Sequence, residues 1–566
     1  MSFLDLLIGK PLANWEESGE RIGPAAGIPI FGLDALSSAA YGPEAALTIL
    51  IPLGALGVAY IVPISGAIIL LLAIVYFSYR QTIDAYPNGG GSYTVARENI
   101  GPRAGLLAAA ALMIDYILVV AVGISAGVGA LVSAVPSLQP HTLAMCLGIL
   151  LLITIVNLRG VKEAGGIFMI PTYLFLGCML ITILMGLFRA LFEHAHPVPV
   201  LAPPPMPPAT AMVGVWLVMK AFASGCTALT GVEAVSNGVR AFREPTSENA
   251  RKTLTVIIGL LIILLAGIAW LVKVYHIAAT DPGAPGYQSV LSMLVAAVAG
   301  KGVFYYITIA SILLILALSA NTAFADLPRL CRMIALDGYL PRSLANRGRR
   351  LVYSEGIYVL AALAGLLLIL FGGVTDRLIP LFAVGAFLAF TLSQLGMVFH
   401  WKRVGGAHAL RNIFINGLGA LVTGITVLVV LVAKFIDGAW ITMLLIPGLL
   451  LLMYAVHRHY QRVSQEMADS SPLDLTHFRP AIVVLPLERW SAVAKKALTL
   501  GLSISPEVTG VHVECEWTEQ IKKEWQEFVE KPVQEIGLAA PRLIILPSPY
   551  RYVSSPIVDY ILGLQK

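Results

Sequence analysis

Two long apolar stretches of this chain carry an acid among residues that break helices. The first reads Phe31-Gly32-Leu33-Asp34-Ala35-Leu36-Ser37-Ser38-Ala39-Ala40-Tyr41-Gly42-Pro43, and the second runs from Ser224-Gly225-Cys226 through Thr230-Gly231-Val232-Glu233 to Asn237-Gly238. A carboxylate in a membrane-length apolar segment costs roughly 2.5–3.5 kcal/mol on insertion scales, so it marks function by default. Asp34 and Tyr41 on one stretch, and Thr230 and Glu233 on the other, offer carboxylate, phenol and hydroxyl oxygens. With backbone carbonyls, these are the ligands that alkali cations take. Gly32, Gly42 and Pro43 bracket the first pair. Gly-Pro removes a helix hydrogen bond and permits unwinding; the competing reading is a simple kink. Thr230 and Glu233, three residues apart, share a face if the helix persists there. Gly225, Gly231 and Gly238 make this the weakest part of its stretch, or allow close helix packing, which leaves Glu233 unexplained. A third acid, Asp115, stands beside Tyr116 in the middle of another apolar stretch. It is either satisfied by a neighbouring hydroxyl or backbone group, or a proton carrier of the kind buried acids provide.

These residues need elements that hold them at membrane depth. The chain has 566 residues, 57% hydrophobic and 13% charged. Soluble chains carry about 25% charged residues, so the class is a polytopic, all-α membrane protein. Twelve apolar segments are long enough to span: roughly 24–53, 57–78, 104–133, 142–158, 165–191, 210–239, 252–275, 303–326, 351–371, 377–400, 409–434 and 439–457. They divide as five, five and two. Broken spans open both sets of five, and Ala35-Leu36-Ser37 and Ala228-Leu229-Thr230 read as one element written twice. Helix breakers at matching places in two halves point to a transporter's binding site.

The expected domains are a cytoplasmic segment 1–22, a transmembrane domain 23–459 with repeats of about 23–191 and 210–400 plus two extra helices, and a cytoplasmic tail 460–566. The net charge of +5 comes from loop lysines and arginines and gives no reason to invoke nucleic acid. Arg80, Arg97 and Arg103, then Arg159 and Lys162, then Arg240, Arg243, Arg251 and Lys252, then Arg329 to Arg350, then Lys402, Arg403 and Arg411 fall on alternate connections. The positive-inside rule makes that side, and both termini, cytoplasmic. The Pro-rich run 197–208 then lies outside as a stiff connector. Cys146, Cys178, Cys226, Cys331 and Cys515 show no paired spacing and read as small buried apolar residues. Lys220 either offsets a buried acid or snorkels outward, Asp326 and Arg329 read as an interfacial pair, and Tyr86 to Tyr93 reads as a re-entrant turn or an ordinary flexible one. No nucleophile–base pair or metal-ligand spacing suggests an enzyme.

After Ser470-Ser471-Pro472 the composition becomes soluble. Strands at 481–485, 508–514 and 543–546 alternate with helices at 491–500, 518–528 and 556–562, which implies a small parallel sheet. No Gly-rich phosphate loop occurs; Ser548-Pro549-Tyr550-Arg551 is the best loop for a nucleotide, and a dimerisation module is the plainer reading.

The strings GLDALSSAAYGPEA (32–45), AYPNGGGSYTVARENIG (85–101), SGCTALTGVEAVSNGV (224–239) and FTLSQLGM (390–397) resemble the amino acid–polyamine–organocation (APC) superfamily, and within it the KUP-type, KimA-like potassium importers. The resemblance implies a five-plus-five inverted-repeat fold of the LeuT/APC type and potassium import by proton symport across the plasma (inner) membrane, in a homodimer. It implies potassium at Asp34, Tyr41 and Thr230 and proton coupling through Asp115 and Glu233. It also implies a universal-stress-like tail that swaps between protomers and can bind a regulatory cyclic dinucleotide. The chain departs from the pattern at Val119 and Gly123, where hydroxyls would be expected, and at Phe382, where a tyrosine would be. These losses keep proton-coupled amino-acid or organic-cation transport open as the alternative, and a non-transporting sensor on the same scaffold as a third reading.

Overall fold

A computed structural model describes residues 22–87, 89, 91–193, 197–206, 208–210, 212–281, 287–348, 350, 352–468, 481–514, 517–537, 540–548 and 552–564, without the side chains of 161–168. Residues 1–21 of the expected segment 1–22, Asn88, Gly90, Ser470-Ser471-Pro472, Cys515 and Pro549-Tyr550-Arg551 lie outside the described residues. The chain divides into two compact units, Met1–Glu466 and Met467–Lys566.

The first unit is helical. Its helices are α1 Pro24–Phe31, α2 Leu33–Leu50, α3 Ala55–Ala85, α4 Ser92–Asn99, α5 Pro102–Ala134, α6 Thr142–Leu158, α7 Val161–Phe192, α8 Val215–Gly225, α9 Ala234–Asn237, α10 Thr246–Val274, α11 Val290–Ala299, α12 Val303–Leu336, α13 Ser354–Leu370, α14 Thr375–Leu378, α15 Val384–Val404, α16 Ala409–Lys434 and α17 Trp440–Met467. Nine stretches among the described residues are long and apolar enough to cross a membrane. One of them, Ala409–Met467, is α16 and α17 joined through a π turn at Phe435–Ala439. The pair α1–α2 is interrupted and α13 has 17 residues; with them, each of the twelve expected segments holds a helix or a broken helix. Leu70, Leu184, Leu363, Leu421, Leu428 and Leu444 stand exposed on outer faces, an arrangement that suits hydrocarbon. Cys146, Cys178, Cys226 and Cys331 are buried and free, as their spacing suggested.

Among the described residues, three of the expected spans are interrupted. In the first, the break falls at Gly32, between α1 and α2. A β-carbon at Gly32 would lie 2.6 Å from the Ile28 carbonyl and 2.7 Å from Ile257 Cδ1, so only glycine fits. The anticipated unwinding at Gly42-Pro43 does not occur: α2 runs through both residues. The sixth is opened more fully. After α8 comes a 3-10 turn at Cys226–Leu229, then an extended Thr230 (φ −66°, ψ 150°), then Gly231 at φ +81° before α9. Thr230 and Glu233 therefore do not share a helix face, because the helix they would share is absent.

The third interruption, in the segment read as a continuous span at 377–400, was not anticipated. A 3-10 turn at Ile379–Leu381 leads into extended Phe382 and left-handed Ala383 (φ 78°) before α15. Pro380 is the sequence signal for it. The carbonyls at this break find side-chain donors: Lys434 Nζ reaches Ile379 O at 3.3 Å and Thr442 Oγ1 reaches Leu381 O at 2.9 Å. Irregular backbone at membrane depth survives only with such partners.

The second unit is an α/β domain. Parallel strands β1 Ile482–Pro486, β2 Glu507–Val513 and β3 Arg542–Leu546 lie in that order, with Val484 opposite Thr509 and Val511 opposite Ile544. Helices α18 Ala492–Ile504 and α19 Thr518–Trp525 fall between them, and α20 Lys531–Glu535 and α21 Ser554–Leu564 complete the unit. Its core is Leu487, Leu498, Val508, Ile521, Trp525 and Val529. Trp525 lies over Gly510, where a β-carbon would come within 2.7 Å of its ring, and its indole N–H donates to Pro541 O at 3.2 Å.

Candidate functional site

The breaks of the first and sixth spans meet. Ser38 Oγ sits between the carbonyls of Ala35 (2.7 Å) and Ala228 (2.8 Å). A β-carbon at Gly42 would lie 2.6 Å from Ala228 Cβ, and one at Gly231 would lie 2.6 Å from Asp34 Oδ2. Glycine at 231 is thus required twice, by its positive φ and by the Asp34 carboxyl beside it. Tyr41 Oη lies 3.4 Å from Thr230 Oγ1, which also donates to Thr227 O at 3.0 Å. Asp34, Tyr41 and Thr230, read from two segments about 190 residues apart, therefore form one cluster of oxygens, all buried.

Asp115 and Glu233 belong to the same region. Each is 1% exposed, and neither carboxyl has a side-chain hydrogen-bond partner among the described residues. Asp34 abuts Gly231, two residues before Glu233, and Asp326 accepts from Asn237, four residues after it, so these acids gather round the sixth break. A buried ionised carboxylate without a donor is costly, so such a group holds a proton or faces a cation. Asp115 packs against the start of α15, its Cβ 3.1 Å from where a side chain at Gly385 would begin.

Several members of the site were not legible in the sequence. Asp326 pairs with Arg329 at 3.7 Å, as read from the sequence, but it is buried, 2% exposed. Asn237 Nδ2 donates to Asp326 Oδ2 (3.1 Å) and to Tyr116 Oη (2.7 Å), which ties the sixth span to the third and eighth. The Gly-rich loop closes over this network: β-carbons at Gly91 and Gly89 would meet Asn237 Oδ1 at 2.4 Å and Asn237 O at 3.1 Å. Close approach, not flexibility, explains these glycines. Ser319 of α12 stands against Gly123 of α5, its Oγ 2.3 Å from where a β-carbon would sit and donating to Leu316 O at 2.7 Å. Phe382 is fully buried in the third break. Lys220 does not offset the buried acids; it reaches the half-exposed Asp437 at 2.9 Å.

On the other side of Tyr41 a cavity of about 310 Å³ opens, lined by Tyr41, Glu44, Ser125, Tyr287, Thr375 and Asp376 among others. Glu44 is held there by the Tyr287 hydroxyl (2.7 Å) and the Val290 N–H (3.3 Å). The cavity faces the connections poor in basic residues, and the Gly-rich loop faces those rich in them.

Residues 34–453 match the amino acid permease family, and residues 478–566 match the KimA potassium transporter C-terminal domain. The chain belongs to the amino acid permease family. It is 37% identical over 563 residues to the potassium transporter KimA of Bacillus subtilis (strain 168), covering 98% of this chain and 89% of that one. A solved structure of a Na+-coupled sialic acid symporter in its substrate-bound outward-open state is 14% identical, with a TM-score of 0.44, covering 74% of this chain and 92% of that one.

Proposed function

We propose that this chain imports potassium by proton symport across the plasma (inner) membrane. The observation that carries the reading is the meeting of two broken spans at Asp34, Tyr41 and Thr230, with Asp115 and Glu233 beside them lacking side-chain hydrogen-bond partners among the described residues. Its relative's name, a potassium transporter, supports the same substrate. Potassium is held at Asp34, Tyr41 and Thr230, by the carboxylate, the phenol and the hydroxyl. Asp115 and Glu233 carry the coupled proton, since each needs either a proton or a cation to remain buried.

The cation enters through the cavity lined by Glu44 and Asp376, and the Gly-rich loop with the Tyr116–Asn237–Asp326 network blocks the inner exit. Import requires that network to open while the cavity closes. The scaffold for this is twelve crossings in a five-plus-five inverted repeat, with both termini cytoplasmic and the α/β tail, the expected 460–566, serving as a dimerisation module. Transport of an amino acid is disfavoured by charge: an α-carboxylate would meet four acids, with Arg329 already paired to one of them.

The test is a substrate panel. Purified protein in liposomes, under an inward proton gradient, is offered rubidium and a set of amino acids. Rubidium accumulation that collapses with the gradient is expected. Amino-acid uptake indifferent to potassium would refute the proposal.

A further inference from the structure

Away from the candidate site, α3 and α10 run side by side, and the last turns of α3 meet the first turns of α10. A cavity of about 440 Å³ lies between these ends, lined by Arg80, Glu248, Arg251, Lys252, Thr255 and Val256. Three cations converge there. Arg251 is partly neutralised by Asp84 at 3.1 Å and Lys252 by Glu248 at 2.8 Å. Arg80 has no acidic partner among the described residues; its Nη1 donates to the Tyr76 hydroxyl at 3.3 Å. Tyr76 in turn meets Thr255 Oγ1 at 3.0 Å, so the floor of the groove is stitched and its basic rim is left in excess.

The surface next to this rim is apolar. Val256 and Ile263 on α10 are 45% and 50% exposed, and Phe77 and Leu70 on α3 are 51% and 64% exposed. Members of each pair are seven residues apart, which places them on one stripe of their helix, about 10 Å along its axis. A positive groove that opens onto two parallel apolar stripes matches a ligand with an anionic head and hydrocarbon chains. Free phosphate would use the rim but leave the stripes bare.

We propose that the groove between α3 and α10 binds the headgroup of an anionic phospholipid, with Arg80 and Lys252 on the phosphodiester and the acyl chains along Phe77–Leu70 and Val256–Ile263. Basic pockets between spanning helices on the side rich in Lys and Arg are where such headgroups bind. The assignment is independent of what the protein transports.

The test is native mass spectrometry of the full-length protein, released from micelles doped with phosphatidylglycerol or phosphatidylcholine. Phosphatidylglycerol should be retained in preference to phosphatidylcholine. Arg80→Gln and Lys252→Gln should each weaken retention about fivefold, while Lys402→Gln should leave it unchanged. Lys252 is a rim residue with its side chain 63% exposed, so its variant keeps the test valid if Arg80→Gln fails to fold. Equal retention of the two lipids, wild-type retention in both groove variants, or displacement of phosphatidylglycerol by millimolar inorganic phosphate would overturn the proposal.

Discussion

Replacing Gly231 by alanine adds one methyl group at the point where the two broken spans meet. Its φ of +81° is left-handed, which costs an L-residue roughly 1–2 kcal/mol. The added β-carbon would also lie 2.6 Å from Asp34 Oδ2, 2.7 Å from Asp34 Cβ and 2.8 Å from Asp34 Cγ, far inside contact distance. Overpacking of this kind typically costs about 1–3 kcal/mol. The two together disfavour the arrangement that joins Asp34 to Thr230 by about 2–5 kcal/mol. At 1.4 kcal/mol per tenfold, even the lower figure weakens apparent cation affinity by about thirtyfold. The assay is rubidium uptake by proteoliposomes as a function of rubidium concentration, with the variant checked for monodisperse elution. Gly148→Ala, inside α6 with no atom within 4 Å of its β-carbon position, is the control and should transport normally. Wild-type affinity and rate in Gly231→Ala would refute the argument that Asp34 and the break at 231 form one site.

Tyr41→Phe removes the hydroxyl that lies 3.4 Å from Thr230 Oγ1; rubidium affinity should fall about three- to tenfold in the same uptake assay, with expression unchanged. Gly123→Ser should impair uptake, because its β-carbon would lie 2.3 Å from Ser319 Oγ and 2.9 Å from the Leu316 carbonyl; adding Ser319→Ala relieves only the first contact and should restore uptake in part. Thr442→Val strips the donor from Leu381 O, leaves a buried carbonyl unpaired and should destabilise the protein by about 1–3 kcal/mol, read as a lower melting temperature in detergent.

The sequence exposed those parts of the site that break the apolar pattern. Asp34, Asp115 and Glu233 are anomalous in membrane-length segments, and Gly231 beside Glu233 marks a weak helix. The tail's helices and parallel strands followed from strand–helix alternation to within a few residues. What stayed hidden depends on tertiary partners. Whether a Gly or Pro opens a helix is decided by the neighbours that take its carbonyls: α2 runs unbroken through Gly42-Pro43, while Ile379-Pro380 opens where Lys434 and Thr442 supply donors. Ser319 stands over Gly123 from a helix about 200 residues away, and no local signal links them. Asp326 lies near the end of its expected span, and nothing in the sequence announces Asn237 and Tyr116 beside it.

The most direct measurement of the central claim is proton-driven rubidium uptake by the wild type and Asp34→Asn in matched proteoliposomes. Uptake in the wild type that follows the imposed proton gradient, and its loss in Asp34→Asn with the fold intact, is the expected result. Undiminished rubidium accumulation in Asp34→Asn would contradict a cation site built where the two broken spans meet.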